Sequence, residues 1–500
     1  MLWGIGNLTV SVEDHTHEEA QWLSSFLSYV KRSYNGRTNT GREDLTTMFN
    51  WALSEFPTGF ARSVYKAAIG SGLSVEYEDR RVPPCEPDPD ADLSWLRTHP
   101  AVEGEIKHQI EAVEAVVKHK RGIVWAPTGF GKTEVSLGLT RAIPCRWLFL
   151  VHKVDLLKQT ADRYSQRTGL KAGIVGDGQF DVPSDCRFVV CSFQTAYRGY
   201  EGGKRRVIRL IEDWAQGLAV DECHAIGADT FWNTVMRTAN AYYRVGFSGT
   251  PLARGDEKNL RITGGLGPVI YRIMPRTLID LGLLASPTIR MLPMQHTPKG
   301  TTWRGVYSNC IVKNTARNQL VADLIANRVT RPCLVFVHRV GHGRDLTKRL
   351  EKAGLNARFA WGEKSTYQRK ELLAQLERGY LDALVCNDIF HEGIDVPSLR
   401  SVVVAGAMKS KIAVVQRMGR GMRATTSKDT FEVWDIEDRG CGCTKNSKPV
   451  DDDPLFDDPR APTSHTSCRW LERHTKERRK AYEQEGFLVL ADDDQLRLDL

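Results

Sequence analysis

The stretch "IVWAPTGFGKTEVSL", Ile123 to Leu137, decides how the rest of the chain is read. It opens apolar, passes through a turn holding Gly129 and Gly131, reaches Lys132-Thr133 and turns apolar again. A buried strand followed by a glycine-rich turn and a helix start is the layout of a phosphate-binding loop. Small residues there let backbone N–H groups turn inward around an anion, and the helix N-terminus adds its positive dipole end. In "APTGFGKT", Gly129, Phe130 and Gly131 would cradle a nucleotide's phosphates. Lys132 would reach the β- and γ-phosphates, and Thr133 would help hold Mg²⁺. Ala126 stands where such loops usually begin with glycine.

A nucleotide site of this kind needs a second, acidic half at a neighbouring strand end. "GLAVDECHA" supplies it with Asp221, Glu222 and His224. Asp221 is the expected Mg²⁺ ligand, and Glu222 the residue that positions and activates an attacking water. Cys223 reads as a small packing residue.

Outward from this pair, the chain sorts into four stretches. Residues 1–98 begin with the alternating "LTVSVED", carry more acidic than basic residues, and end in the linker-like "RVPPCEPDPDADLSW". From 99 to 283, apolar runs ("RGIVWAP", "CRWLFLVH", "RFVVCSF", "GLAVDECH", "YYRVGFSGTP") alternate with helical stretches. The rhythm repeats from 284 to 438 in "PCLVFVHR", "NARFAWG", "DALVCND", "RSVVVAGA" and "TFEVWDI". Short apolar runs separated by helices predict parallel sheets buried on both faces. The expected fold is α/β: two tandem domains, a small N-terminal α+β domain, and a C-terminal helical tail over 439–500. In that tail, Cys441, Cys443, His465 and Cys468 are candidate zinc ligands of unusual spacing. The basic stretch "RWLERHTKERRKAYEQEGF" predicts a helix with a solvated charged face, or one that braces the second domain or lies along DNA.

Five hundred residues are enough for several cores, and 41% hydrophobic with 26% charged residues is ordinary for a globular protein. The net charge of +8 suits a polyanionic partner. Eleven cysteines, many within apolar runs such as those of Cys145, Cys191, Cys333 and Cys386, point to reduced thiols rather than a disulfide framework. The N-terminus lacks the pattern of a secretion signal, and no apolar run is long enough to span a membrane. A cytoplasmic protein without membrane partners is expected.

Asp221-Glu222-Cys223-His224 resembles the box that names the DEAD/DEAH-type superfamily 2 helicases. The likeness runs through residues 100–425 and rests on several ordered motifs. "FSGTP" resembles the motif that couples nucleotide state to nucleic-acid grip, which implies coupling roles for Ser248 and Thr250, together with His224. "HEGIDVP" resembles a second-domain motif and implies a nucleotide contact for Asp395. "QRMGRGMR" resembles the arginine motif. An arginine fork neutralises charge on a transferring phosphoryl group well, and Arg420 and Arg423, three apart, share a helix face. The resemblance implies that both act at the γ-phosphate with Gln416 beside them, and that each domain is a RecA-like lobe.

By the same resemblance, His152, Lys153, Ser192, Gln194 and Thr195 in lobe one should contact a nucleic-acid backbone, with His338, Arg339, Asn387 and Phe390 in lobe two. His152 stands where relatives often have proline, and Asn387 where they often have threonine. Gln109, in "EIKHQIEAV", is the candidate for the adenine edge, although histidine replaces the aromatic that usually precedes it. The connector "GPVIYRIMPRTLIDLGLLASP" is similar to that of the branch holding phage UvsW, XPB-like and RecG-like enzymes. That implies an ATP- and Mg²⁺-dependent, monomeric motor on branched or forked DNA, working beside single-stranded DNA-binding or recombination proteins in a bacterial or infected-host cytoplasm. Residues 1–98 would then be an accessory domain that binds DNA, "YVKRSYNGRTNTGR" and "FARSVYKAA" being its basic-aromatic candidates. An RNA helicase, or a nucleotide-gated clamp that does not unwind, are the alternatives.

Overall fold

The computed structural model describes residues 1–35, 40–98, 105–252, 259–296, 302–362, 366–387, 396, 399–407, 430–439 and 464–491. The chain divides into two compact units. One comprises Met1–Ser33 with Arg42–Ile273, the other Tyr34–Gly41 with Met274–Leu500.

The first unit begins with a small four-stranded sheet. Strands β1 (Leu2–Ile5) and β2 (Thr9–Glu13) form an antiparallel pair. A further pair, β3 (Ser28–Asn35) with β4 (Thr40–Thr47), stands apart as its own two-stranded sheet. Strands β5 (Glu55–Pro57) and β6 (Glu76–Asp79) complete the first sheet in the order β5-β2-β1-β6. Its helix His17–Phe26 starts with a capping box in which Thr16 accepts from the Glu19 N–H and the Glu19 carboxylate accepts from the Thr16 N–H. Trp3, Val10, Leu23, Phe56, Phe60 and Val64 fill the core between sheet and helices. This domain is seated on the larger one. Phe60 lies against Gly264, Leu260 packs on the small core, the Arg121 guanidinium donates to the Asn7 carbonyl at 3.2 Å, and the Asn7 amide donates to the Ala239 carbonyl at 3.2 Å.

The larger domain carries β7 (Arg121–Trp125), β8 (Trp147–Val151), β9 (Gly173–Gly176), β10 (Gln179–Asp181), β11 (Phe188–Ser192), β12 (Gly217–Asp221), β13 (Tyr243–Ser248) and β14 (Val269–Arg272). They form one sheet in the order β10-β9-β11-β8-β12-β13-β7-β14. Every neighbouring pair is parallel except β9 with β10. Residues such as Leu148, Val189, Val220 and Val245 are fully enclosed because helices cover both faces, each contributing about 1.5–3 kcal/mol. Parallel strands all end on the same edge, and here that edge gathers the residues after β7, β11, β12 and β13. In an open α/β sheet, ligands bind at this edge.

The second unit repeats the plan with β15 (Ser286–Gln295), β16 (Cys333–Phe336), β17 (Ala357–Ala360), β18 (Ala383–Cys386), β19 (Ser401–Val404), β20 (Thr430–Arg439) and β21 (Leu488–Ala491), all parallel, in the order β17-β18-β16-β19-β20-β15-β21. The basic helix anticipated in the tail is Ser464–Gln484, and it braces this sheet rather than standing in solvent. Arg478 is fully buried, its Nε donating to Asp435 Oδ2 at 2.8 Å and its Nη2 to the Ile436 carbonyl at 2.9 Å. The Tyr482 hydroxyl donates to the same Asp435 oxygen at 2.8 Å. After this helix the chain adds β21 to the sheet, an element the sequence reading leaves out. On the helix Thr315–Asn327, Arg317 grips Asp438 through Nε and Nη2 at 2.8 and 3.1 Å, while His296 Nε2 donates to Asp438 at 2.7 Å. Among the described residues, no helix is long and apolar enough to cross a membrane.

Candidate active site

The turn after β7 is tight. Gly129 and Gly131 have φ of +93° and +87°, in the left-handed region that glycine enters without strain. Phe130 donates its N–H to the Pro127 carbonyl at 3.3 Å, and Gly131 caps the helix Lys132–Ala142. A side chain at Gly131 would collide with the Gln109 amide. That amide is buried, and its Nε2 donates to the Phe130 carbonyl at 2.7 Å. Gln109 thus braces the loop from beneath. Phe130 in turn lies 6.1 Å, centroid to centroid, from Tyr271, whose hydroxyl donates to Glu111 Oε2 at 3.2 Å.

Lys132 is three-quarters or more enclosed, yet its ammonium makes only long contacts. It lies 3.4 Å from the Ala126 carbonyl and 3.8 Å from Glu222 Oε1. Thr133 is the next residue of the helix's first turn. Asp221 ends β12, one strand beyond β13 from β7, and Glu222 follows it with φ +48°. A non-glycine residue in that conformation stores strain, and such strain gathers where side-chain placement matters. Glu222 Oε2 receives the Ser248 hydroxyl at 3.5 Å and lies 3.3 Å from His224 Nδ1, which is 3.1 Å from Ser248 Oγ. The Thr250 N–H donates to Ser248 Oγ at 3.1 Å. Burial, and then the neighbouring Glu222 charge, push Asp221 up to about 6.

The residues of the opening motif and those of the acidic box therefore converge at one edge, with the Ser248 motif closing the group. Two contacts bind that motif to the loop. The Ala126 N–H donates to the Ser248 carbonyl at 3.1 Å, and the Trp125 indole donates to the Gly249 carbonyl at 2.9 Å. Trp125 is covered by Arg272, 4.1 Å above its ring. Sequence reasoning places Trp125 in a buried strand and gives it no such role. A tryptophan at a strand end beside the loop is the one signal that could have raised it.

The donor set fits a nucleotide with a divalent cation. A lysine ammonium with only long contacts among the described residues, turn glycines with positive φ, and two adjacent, largely enclosed carboxylates are groups that suit an anion and a cation side by side.

Of the strand-contact candidates in this unit, Ser192 caps the helix Phe193–Glu201, accepting from the Thr195 N–H at 3.2 Å and donating to the Thr195 hydroxyl at 2.8 Å. Gln194 is exposed and donates to the His152 carbonyl at 2.9 Å. Lys153 follows on the same loop after β8. In the second unit, His338 lies 6.0 Å from the Tyr307 ring, Arg339 is exposed, and the Asn387 side-chain oxygen is buried with no partner among the described residues. Phe390, Asp395, Gln416, Arg420, Arg423, Cys441 and Cys443 lie outside the described residues, as do the side chains of His465 and Cys468.

Two family models match. That of the type III restriction enzyme res subunit covers residues 105–253, and that of the helicase conserved C-terminal domain covers residues 316–425. The ATP-dependent DNA helicase uvsW of Enterobacteria phage T4 is 24% identical over 354 residues, 66% of this chain and 68% of that protein. The DNA 3'-5' translocase XPB2 of Sulfurisphaera tokodaii is 23% identical over 398 residues, 71% of this chain and 87% of that protein. Against three other relatives, the chain spans only 52–60% of their length. A solved structure of the ATP-dependent type ISP restriction-modification enzyme LlaBIII bound to DNA shares the fold, with a TM-score of 0.53 at 16% identity over 79% of this chain and 32% of that one.

Proposed function

Because this chain belongs to the superfamily 2 helicases, we propose that it hydrolyses ATP to translocate on and remodel DNA, with branched or forked DNA as its substrate. The convergence of Lys132, Asp221, Glu222 and Ser248 at one sheet edge carries this reading. The DNA preference is supported by uvsW and XPB2, whose names state DNA as their substrate.

In this reading, ATP lies with its phosphates in the turn Ala126–Gly131. Lys132 turns from Glu222 to the β- and γ-phosphates, and Thr133 and Asp221 would hold Mg²⁺. The metal would neutralise phosphate charge and fix the phosphates' orientation. Glu222, held from the opposite side by His224 and Ser248, orients water on the γ-phosphorus and takes its proton. Arg420 and Arg423 are assigned to charge on the transferring group, with Gln416 and Asp395 completing the nucleotide's surroundings. Because Ser248 touches both Glu222 and the Thr250 N–H, a change at the γ-phosphate alters the strand end that leads into the Ser-Gly-Thr turn. The strand contacts are assigned to His152, Lys153, Ser192, Gln194, Thr195, His338, Arg339, Asn387 and Phe390. Differential affinity of DNA for the nucleotide states then gives stepping. Residues 1–98 are assigned to substrate choice.

The test is ATP hydrolysis by the purified chain at one salt concentration with no nucleic acid, single-stranded DNA, forked DNA, a four-way junction, or structured RNA, and with Lys132→Ala as control. Greatest stimulation by forks or junctions, lost in the variant, supports the proposal. Stimulation by RNA alone replaces it with an RNA helicase. Fork binding without strand displacement reduces it to a nucleotide-gated clamp.

A further inference from the structure

Trp125 ends β7, immediately before the phosphate loop. In the sheet it is paired with Ser248 on β13 and with Arg272 on β14, so the three residues lie abreast. Its carbonyl accepts the Ile273 N–H at 3.0 Å, which fixes its backbone from the β14 side. The ring is partly buried and is covered by the exposed Arg272, whose guanidinium carbon lies 4.1 Å from the ring centroid. A cation over the face of an indole holds that face in place. Backbone and ring are thus both restrained.

The restrained indole puts its N–H to use at the Gly249 carbonyl, 2.9 Å away. That carbonyl belongs to the peptide joining Gly249 to Thr250, and the N–H of the same peptide donates to Ser248 Oγ at 3.1 Å. The Ser248 hydroxyl, having accepted there, donates to Glu222 Oε2 at 3.5 Å. Four groups therefore form one directional chain: indole N–H, peptide, hydroxyl, carboxylate. Hydrogen bonds arranged head to tail polarise one another, so pinning the first tightens the last. The turn also lies close against the loop, since a Cβ at Gly249 would stand 3.5 Å from the Ala126 carbonyl oxygen. The Ala126 N–H holds the preceding carbonyl, that of Ser248, at 3.1 Å. Both peptides flanking Gly249 are thus tied to residues 125 and 126, and the side chain at the end of the chain is Glu222.

We propose that Trp125 is a positioning residue for ATP hydrolysis: through the Gly249–Thr250 peptide and the Ser248 hydroxyl it sets the direction of the Glu222 carboxylate, with Arg272 holding the indole in place. This deepens the reading of Glu222 as the group that orients the attacking water, and rests on it.

Trp125→Phe keeps an aromatic ring beneath Arg272 and removes the N–H. In the full chain, kcat for ATP hydrolysis should fall about five- to tenfold. KM for ATP, and affinity for a fluorescent ATP analogue, should shift by less than about twofold, because Lys132 and the loop glycines are untouched. In a Ser248→Ala background, where the chain is already broken, Trp125→Phe should cost less than about twofold more. Losses that multiply in the double variant mean that the indole acts by another route, and overturn the proposal. An unchanged kcat in Trp125→Phe overturns it too, as does analogue affinity that falls in step with kcat, which would assign the indole to the shape of the phosphate loop. Arg272→Gln, at an exposed position, is the second variant. It should lower kcat by about two- to threefold, again without a further loss beside Ser248→Ala. If Trp125→Phe shows no cooperative thermal transition, this second cycle decides alone, and multiplying losses or no loss overturn the proposal. An unaltered chain that hydrolyses no more ATP than Lys132→Ala would sink the reading of the site, and this proposal with it. An active unaltered chain beside an equally active Trp125→Phe removes the role of Trp125 alone.

Discussion

Glu222 touches a lysine on one side and a histidine and a serine on the other. The 3.8 Å approach of Lys132 holds two opposite charges near one another, and in the proposed reading phosphate would separate them. His224 and Ser248 hold the carboxylate from the other side. Glu222→Gln keeps the shape and removes the proposed base. Hydrolysis should fall by about a hundredfold or more while ATP binding, read by fluorescent-analogue displacement, persists. A parallel loss of binding would mean that Glu222 holds the site together rather than serving the water. A second residue-scale case lies in the other unit. His342 is buried, with Nε2 3.0 Å from Asn318 Oδ1, and burial followed by nearby Arg317 pushes its pKa down from 6.5 to about 3. The folded chain therefore keeps this ring neutral while the unfolded chain protonates it below pH 6.5. Stability should drop as pH falls through that window, by up to about 2 kcal/mol between pH 6.5 and pH 5. His342→Asn should flatten the dependence in thermal melts at the two pH values; an equal drop in both proteins would place the sensitivity elsewhere.

At the scale of elements, the helix Ser464–Gln484 is joined to β20 by a charge pair with no access to water. Removing one partner of such a pair strands the other. Arg478→Ala should cost about 3–5 kcal/mol in urea unfolding, and Arg478→Met less if the stem's packing is what counts. A loss under 1 kcal/mol would show that Tyr482 alone satisfies Asp435. This helix also marks where sequence reasoning stops. Its composition is that of a solvated surface, and nothing local reveals that Arg478 meets an aspartate 43 residues earlier. The strands were different. "RFVVCSF", "GLAVDECH" and "DALVCND" became β11, β12 and β18 because a run buried on both faces needs apolar residues at every position. The phosphate loop was legible for a related reason, as its glycines are dictated by backbone geometry. Gln109 was named for an adenine edge, but its bond to the loop was not legible, because the partner is a carbonyl, and a carbonyl leaves no trace in residue identity.

On the scale of the whole molecule, the N-terminal sheet and the larger domain of the first unit meet where there is no room for a side chain. A Cβ at Gly59 would collide with the carbonyls of Thr263 and Gly264. Gly59→Val should loosen that seat without unfolding either core, and protease should cut faster within residues 80–98. Cutting at the unaltered rate would show that the contact is dispensable. The Arg121 guanidinium, which reaches from the larger domain to the Asn7 carbonyl, lies in the same seam.

The order of strands in the second sheet bears on how the chain is made. Its first strand, β15, lies between β20 and β21, the last two along the chain. The first unit's large sheet has all its strands once residue 272 has been synthesised. β15 must wait for both its neighbours while the ribosome adds nearly two hundred more residues, roughly 10–40 s at ordinary elongation rates. Until residue 439 completes β20, Ile289, Met291 and Leu292, all buried in the finished protein, have no strand beside them. The nascent chain is then most exposed to mispairing, and a holdase that recognises extended apolar segments would find its site there before release.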